Sequence, residues 1–235
     1  MKTVGLLGGM SWESTVSYYQ VLNREVKRHL GGLHSARILL LSVDFEEIER
    51  LQHEGDWDEL GAMLAREART LQDGGADFLV LATNTMHLVA PAIEEAVSIP
   101  LLHIADATAR RIRESGVEEV GLLGTRFTME EDFYRGRLEK EHGLSVRIPP
   151  PLDREVVHDV IYRELVLGEI REESRAEYRR IVADMVREGT QGVILGCTEI
   201  GLLLGPDDAP VPLFDTALIH AQEAAAMAVV EVAGE

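Results

Sequence analysis

The pentapeptide Val4-Gly5-Leu6-Leu7-Gly8 recurs as Val120-Gly121-Leu122-Leu123-Gly124, 116 positions later (120 − 4). An internal repeat at that distance limits the available folds more sharply than composition does. Two further echoes run at almost the same distance. Leu81-Ala82-Thr83-Asn84-Thr85 matches Leu195-Gly196-Cys197-Thr198-Glu199 at 114 (197 − 83), and Ile99-Pro100-Leu101-Leu102 matches Val211-Pro212-Leu213-Phe214 at 112 (212 − 100). Three nearly equal offsets mark a duplicated unit rather than a coincidence of apolar residues.

Each repeated fragment is a short run rich in Val, Ile and Leu that ends in glycine or a polar turn, and longer segments of helical period lie between the runs. That alternation is the pattern of βα units around a mostly parallel sheet. In the first unit, Val4 to Leu7 reads as a buried strand and Gly8-Gly9 as the turn. Tyr19, Leu22, Val26 and Leu30 then form one helix face, closed by Gly31-Gly32. The expected fold class is therefore α/β: two pseudo-symmetric, doubly wound lobes with mostly parallel sheets and an active-site cleft between them. The Pro-Leu strand of one copy precedes the Gly-turn strand of the next, while its counterpart sits near the chain's end, so the lobes are expected to interleave. Residues 1–98 plus 211–235 would form the first lobe, carrying Thr83, and 99–210 the second, carrying Cys197.

Composition narrows the functional classes. With 235 residues, 46% of them apolar and 27% charged, the chain can bury a substantial core. A formal net charge of −18 would repel nucleic acid and anionic membrane surfaces, and no local basic stripe offsets it. The first residues lack the apolar core and small-residue cleavage site of a signal peptide, and no later segment has the length and apolarity of a membrane span, so a cytoplasmic location is expected. The single cysteine excludes an intrachain disulfide and a thiolate-clustered zinc site.

In open α/β sheets, ligands collect at the carboxyl ends of strands, where unpaired N–H groups converge. Four segments qualify: Gly8-Gly9-Met10-Ser11, Thr83-Asn84-Thr85, Gly124-Thr125-Arg126-Phe127-Thr128 and Cys197-Thr198-Glu199. Individually each also reads as ordinary turn and capping chemistry. Together they describe a pocket for a small carboxylate, without the G-x-G-x-x-G or Walker spacing of a nucleotide site. The duplication makes Thr83 and Cys197 counterparts. A reaction that inverts a stereocentre through a planar carbanion needs a proton acceptor on one face and a donor on the other, and a thiolate suits the first role. The expected turn at Cys197 would lower the thiol pKa through the N-terminus of the helix that follows.

Cofactor chemistry finds no anchor. Pyridoxal phosphate requires a lysine, and Lys2, Lys27 and Lys140 all sit in terminal or charged helical contexts. The eight histidines show neither H-E-x-x-H nor another recognised ligand spacing, so no metal site and no cofactor are expected. His87, three residues after Asn84, is the histidine best placed to reach the site.

The segments Gly5-Leu6-Leu7-Gly8-Gly9-Met10, Thr83-Asn84-Thr85-Met86-His87, Gly196-Cys197-Thr198-Glu199 and Pro212-Leu213-Phe214-Asp215-Thr216 resemble the aspartate/glutamate racemase family along the whole chain. They look closest to its L-aspartate/glutamate-specific members. The resemblance implies a cofactor-independent amino-acid racemase with two α/β lobes, often a homodimer, taking a small amino acid as its partner and contributing one catalytic residue from each lobe. Most members carry cysteine at both catalytic positions. This chain has Thr83 at the first, as that L-specific subgroup does. By motif position, Asn84, Thr85, Thr125 and Thr198 would hold the α-carboxylate and amino group of the substrate, Met10 would add main-chain contacts, and Gln52 would meet the side-chain carboxylate. Two other readings fit the same residues: a single-cysteine decarboxylase of an activated diacid, and a non-catalytic two-lobed dicarboxylate-binding protein.

Overall fold

A computed structural model describes residues 1–230; the expected lobe residues 231–235 lie outside them. The chain divides into two compact units, Met1–His103 with the segment from His220 onward, and Ile104–Ile219. The first unit holds a parallel sheet of β1 (Thr3–Gly8), β2 (Arg37–Ser42), β3 (Phe78–Leu81) and β4 (Leu101–Leu102), in the order β2-β1-β3-β4. The second holds β5 (Glu119–Gly124), β6 (Ser145–Arg147), β7 (Gly192–Gly196) and β8 (Leu213–Asp215), in the order β6-β5-β7-β8. The α/β class and the duplication expected from the sequence are thus present, down to identical strand order.

The central strands β1, β3 and β7 are buried at every residue, and β5 at all but its first. A parallel strand covered by helices on both faces has no polar side to display, so it is spelled as a continuous apolar run. Edge strands β2 and β6 alternate with exposed positions, and they left the weaker traces in the sequence. Each sheet has its own core. In the first unit Leu7, Ile48, Leu60, Leu64, Leu79 and Met86 are packed together, and in the second Leu122, Ile161, Tyr178, Ile181, Ile194 and Ile200. A fully buried aliphatic side chain of this kind contributes roughly 1.5–3 kcal/mol relative to an exposed one.

The lobe boundaries fall elsewhere than expected. Leu101 and Leu102 pair with Leu79 and Val80 of β3, and Leu213 to Asp215 pair with Val193 to Leu195 of β7. Each Pro-Leu strand therefore closes its own sheet, and the divisions lie at 103/104 and 219/220 instead of 98/99 and 210/211. What passes to the other unit is the helix after the strand. Ile104, Ala105, Ala107 and Ala109 of helix Ile104–Glu114 join the second core. In the last helix, His220 and Ala228 bond to Tyr18 and Lys2 of the first unit. A ladder strand must lie beside its partner to satisfy its backbone, whereas a helix carries its own hydrogen bonds and is free to depart.

Helix Trp12–Leu30 is present and ends at Gly31, with φ 74°. Its buried face is Ser14, Thr15, Tyr18, Leu22 and Val26, so Tyr18 takes the inward place expected for Tyr19, which is 52% exposed. Adjacent aromatics differ by one helical step of about 100°, and the inward one, Tyr18, meets the returning His220 through its hydroxyl. Among the described residues, no helix is long and apolar enough to cross a membrane.

The turn after β1 depends on Gly9. Its φ is +94°, and a Cβ there would overlap the backbone of Val43. Gly75 has nearly the same φ, +96°, with nothing within 4 Å of such a Cβ. Gly75→Ala is expected to cost the backbone strain alone, about 1–2 kcal/mol, whereas Gly9→Ala adds the overlap and loses more. Thermal melts of the two variants test this; equal losses would remove the packing role assigned to Gly9.

Candidate active site

In both sheets the chain order reverses between the first and third strands, so β1 lies beside β3 and β5 beside β7. The crevice outside such a switch point is where ligands bind in open α/β sheets. All four segments singled out from the sequence emerge there, two at the end of each central pair.

In the first unit, Met10 follows β1, and Thr83, Asn84 and Thr85 follow β3; all four are buried. The first turn is tied down by its own helix: Gly9 N–H donates to Thr15 Oγ1 at 2.8 Å, and that hydroxyl donates to the Ser11 carbonyl at 2.8 Å. The Thr83 N–H turns back to the Leu81 carbonyl at 2.9 Å. His87 Nδ1 then meets the Thr83 carbonyl oxygen at 2.7 Å. A carbonyl only accepts, so Nδ1 carries the hydrogen. Gln52, on helix Phe45–Glu54, is also buried, with its amide nitrogen 3.8 Å from Met86 Sδ. The sequence-derived residues of this unit are thus gathered around one pair of strand ends.

In the second unit, Thr125 follows β5 and caps the short helix Arg126–Glu130, its Oγ1 accepting the Thr128 N–H at 3.2 Å. Cys197 and Thr198 follow β7. Both side chains donate to one carboxylate oxygen: Cys197 Sγ lies 2.9 Å and Thr198 Oγ1 2.8 Å from Glu199 Oε2. Glu199 is 1% exposed. Sequence reasoning placed Glu199 beside the cysteine without giving it a role, although its place two residues after a candidate nucleophile was visible. Asp215, at the end of β8, carries no role in the sequence pattern beyond its place in a motif. Its Oδ1 accepts the Leu218 N–H at 3.0 Å.

The expected lowering of the Cys197 pKa is reversed. Burial pushes the thiol well above its ordinary range, and the Glu199 carboxylate, by its charge and by accepting the S–H bond, pushes it further. The backbone N–H groups of Glu199 and Thr198 pull the other way and lose. The helix after the turn, Ile200–Leu203, spans only four residues, too few aligned peptides to bring a substantial dipole to the sulfur. Burial likewise raises the Asp215 carboxyl, with the Glu199 charge adding to it. The resting second unit therefore holds a neutral thiol whose proton is already directed at a carboxylate.

Comparison with known proteins places this arrangement. The profile of the family described as Asp/Glu/Hydantoin racemase matches residues 7–224. The chain belongs to that family. Among solved structures, a candidate Asp/Glu racemase from Yersinia pestis is 55% identical with a TM-score of 0.91, covering 97% of this chain and 100% of that one. An aspartate racemase homologue from Pyrococcus horikoshii OT3 is 34% identical with a TM-score of 0.80, covering 100% of both chains. A broad specificity amino-acid racemase, RacX, of Bacillus subtilis (strain 168) is 24% identical over 168 residues, 68% of this chain and 69% of that protein. The Asp/Glu/hydantoin racemases are isomerases, so the family fixes the enzyme class of this chain.

With only one cysteine in the chain, its thiolate absorbance reports a single thiol once the contribution of the five tyrosines is subtracted. Glu199→Gln removes the carboxylate that raises the thiol pKa while leaving burial in place. The ultraviolet titration midpoint of Cys197 is expected to move to lower pH in the variant. A midpoint that stays or rises would show that burial alone holds the proton on sulfur.

Proposed function

We propose that this family member is a cofactor-independent racemase of L-aspartate and L-glutamate, in which Cys197 removes the α-proton and Thr83, or a water it positions, supplies a proton to the opposite face. One observation carries the reading. Leu7 is in register with Leu81, and Leu123 with Leu195, so Thr83 and Cys197 each stand two residues beyond the equivalent point of two equivalent ladders. Duplicated positions at the ends of duplicated strands suit a substrate approached from two faces.

The proton accounting follows from the Cys197–Glu199 pair. The thiol first passes its proton to Glu199, to which it already donates. The thiolate then takes the α-hydrogen: the Cα–H bond breaks, S–H forms, and the electron pair is delocalised into the α-carboxylate. A new Cα–H bond forms on the other face from the Thr83 hydroxyl or its water; solvent restores that proton, and Glu199 returns to solvent the proton it took from the thiol, which closes the cycle. A hydroxyl is no base near neutral pH, so L-enantiomer deprotonation starts at Cys197. Asn84, Thr85, Thr125 and Thr198 hold the α-carboxylate and ammonium groups, Met10 contributes main-chain contacts, and Gln52 meets the distal carboxylate. Thr198 already donates to Glu199, which leaves its oxygen lone pairs for the ammonium group. Because the free enantiomers are isoenergetic, kcat/KM must be equal in the two directions, and any directional bias resides in kcat and KM separately.

Incubation with L-aspartate and L-glutamate in D2O, followed by α-proton signal and chirality, tests the reading. Wild type is expected to lose the α-proton signal and to produce the D enantiomer. Cys197→Ala should lower both by about 10²-fold or more, the usual scale for removing a general base. Thr83→Ala should lose inversion while exchange with retained L configuration continues. Unchanged α-protons and chirality with both substrates would overturn the proposal.

A further inference from the structure

The two copies are backed by different chemistry. Carrying the sequence offsets through, His87 corresponds to Gly201 (87 + 114) and His103 to Asp215 (103 + 112). In the second unit, Gly201 sits so close to Asp215 that a Cβ there would overlap the carboxylate. In the first unit the same two places hold imidazoles with ring centroids 4.4 Å apart, and a third imidazole, His220, lies 6.1 Å from His87. All three histidines are buried. His220 is itself fixed: Nε2–H donates to the Leu102 carbonyl at 2.8 Å, which leaves Nδ1 of the neutral ring to accept the Tyr18 hydroxyl at 2.9 Å. The His87 ring thus lies against His103 and the anchored His220, with its Nδ1–H on the Thr83 carbonyl at 2.7 Å. The Cys197 carbonyl is secured differently, accepting the backbone N–H of Ile200 at 3.1 Å.

We propose that His87 is a positioning residue for the Thr83 half of the reaction. Its Nδ1–H holds the Thr83 carbonyl, and through it the backbone from which the Thr83 hydroxyl projects. The inference rests on the racemase reading. It predicts a division of labour that a general stabilising role would not produce, since proton removal at Cys197 does not use this contact, whereas proton return at the opposite face does. Small misplacements of a reacting group cost rate steeply, up to about 10²-fold for a displacement of about 1 Å.

The test follows deuterium entry and inversion of L-aspartate in D2O for wild type, His87→Ala and His87→Asn, with thermal melts of each. Asparagine places an amide N–H close to the position of Nδ1 but lacks the rest of the ring. In His87→Ala, inversion should fall on the order of tenfold to a hundredfold, while exchange with retained L configuration stays within about threefold of wild type. His87→Asn should recover most of the inversion. Should His87→Ala fail to fold, the asparagine variant decides alone. Inversion near the wild-type rate in it supports donation to the carbonyl, and a folded His87→Asn that exchanges without inverting overturns it. Equal loss of exchange and inversion in a folded His87→Ala also overturns the assignment, as does wild-type inversion. Absence of deuterium entry in wild type would instead bring down the racemase reading, and this inference with it.

Discussion

The candidate site hangs on the parallel register of two strand pairs. Leu7 faces Leu81, Leu123 faces Leu195, and the residues that emerge beyond them are set by that pairing. A slip of one residue would turn each side chain to the opposite face of its sheet, so Thr83 and Cys197 are placed by the whole ladder and not by their own loops. The ladder is held in turn by burial. The central strands lie almost wholly inside their units, where an unpaired backbone group would cost about as much as a lost buried hydrogen bond, on the order of 1–3 kcal/mol.

On these equivalent frames the chain has built unequal surroundings. The cysteine turn is backed by carboxylates, with Glu199 accepting both the thiol and the Thr198 hydroxyl and Asp215 raised by its burial and by the Glu199 charge. The threonine turn is backed by imidazoles, one of which holds its carbonyl. A carboxylate beside a thiol keeps the thiol neutral yet waits to take its proton. Under the proposed racemase reading, that combination suits a base generated when substrate arrives. A threonine has no comparable ionisation to tune near neutral pH, so its usefulness depends on where its oxygen stands, and a rigid hydrogen bond to its backbone serves that need.

The repeated strands could be read from the sequence because fully covered parallel strands have no polar face to break the apolar run. The turn residues could be read because Gly, Asn, Ser and Thr at strand ends are chemically restricted. Less was legible where distant segments meet. Tyr19 fits the helical period as well as Tyr18 does, and the histidine that bonds the Tyr18 hydroxyl lies 202 positions away. The lobe boundaries were misplaced for a related reason: the Pro-Leu strands gave no sign of which sheet edge they would join, since a two- or three-residue strand carries too little pattern. The thiol pKa was read in the wrong direction because the length of the following helix and the position of the Glu199 carboxylate are facts of packing.

The sequence alone determined the duplication, the α/β class, the turn segments at the strand ends and the equivalence of Thr83 and Cys197 within the repeat, because each is a local pattern repeated at a fixed offset. Tertiary structure alone decided which strand closes each sheet, which helices change units, and what charge stands behind each catalytic candidate. Those depend on contacts such as His220 with Tyr18 and Leu102, or Asp215 with Gly201. Their free energy comes from excluding water around groups that chain order keeps apart, and no local pattern records it.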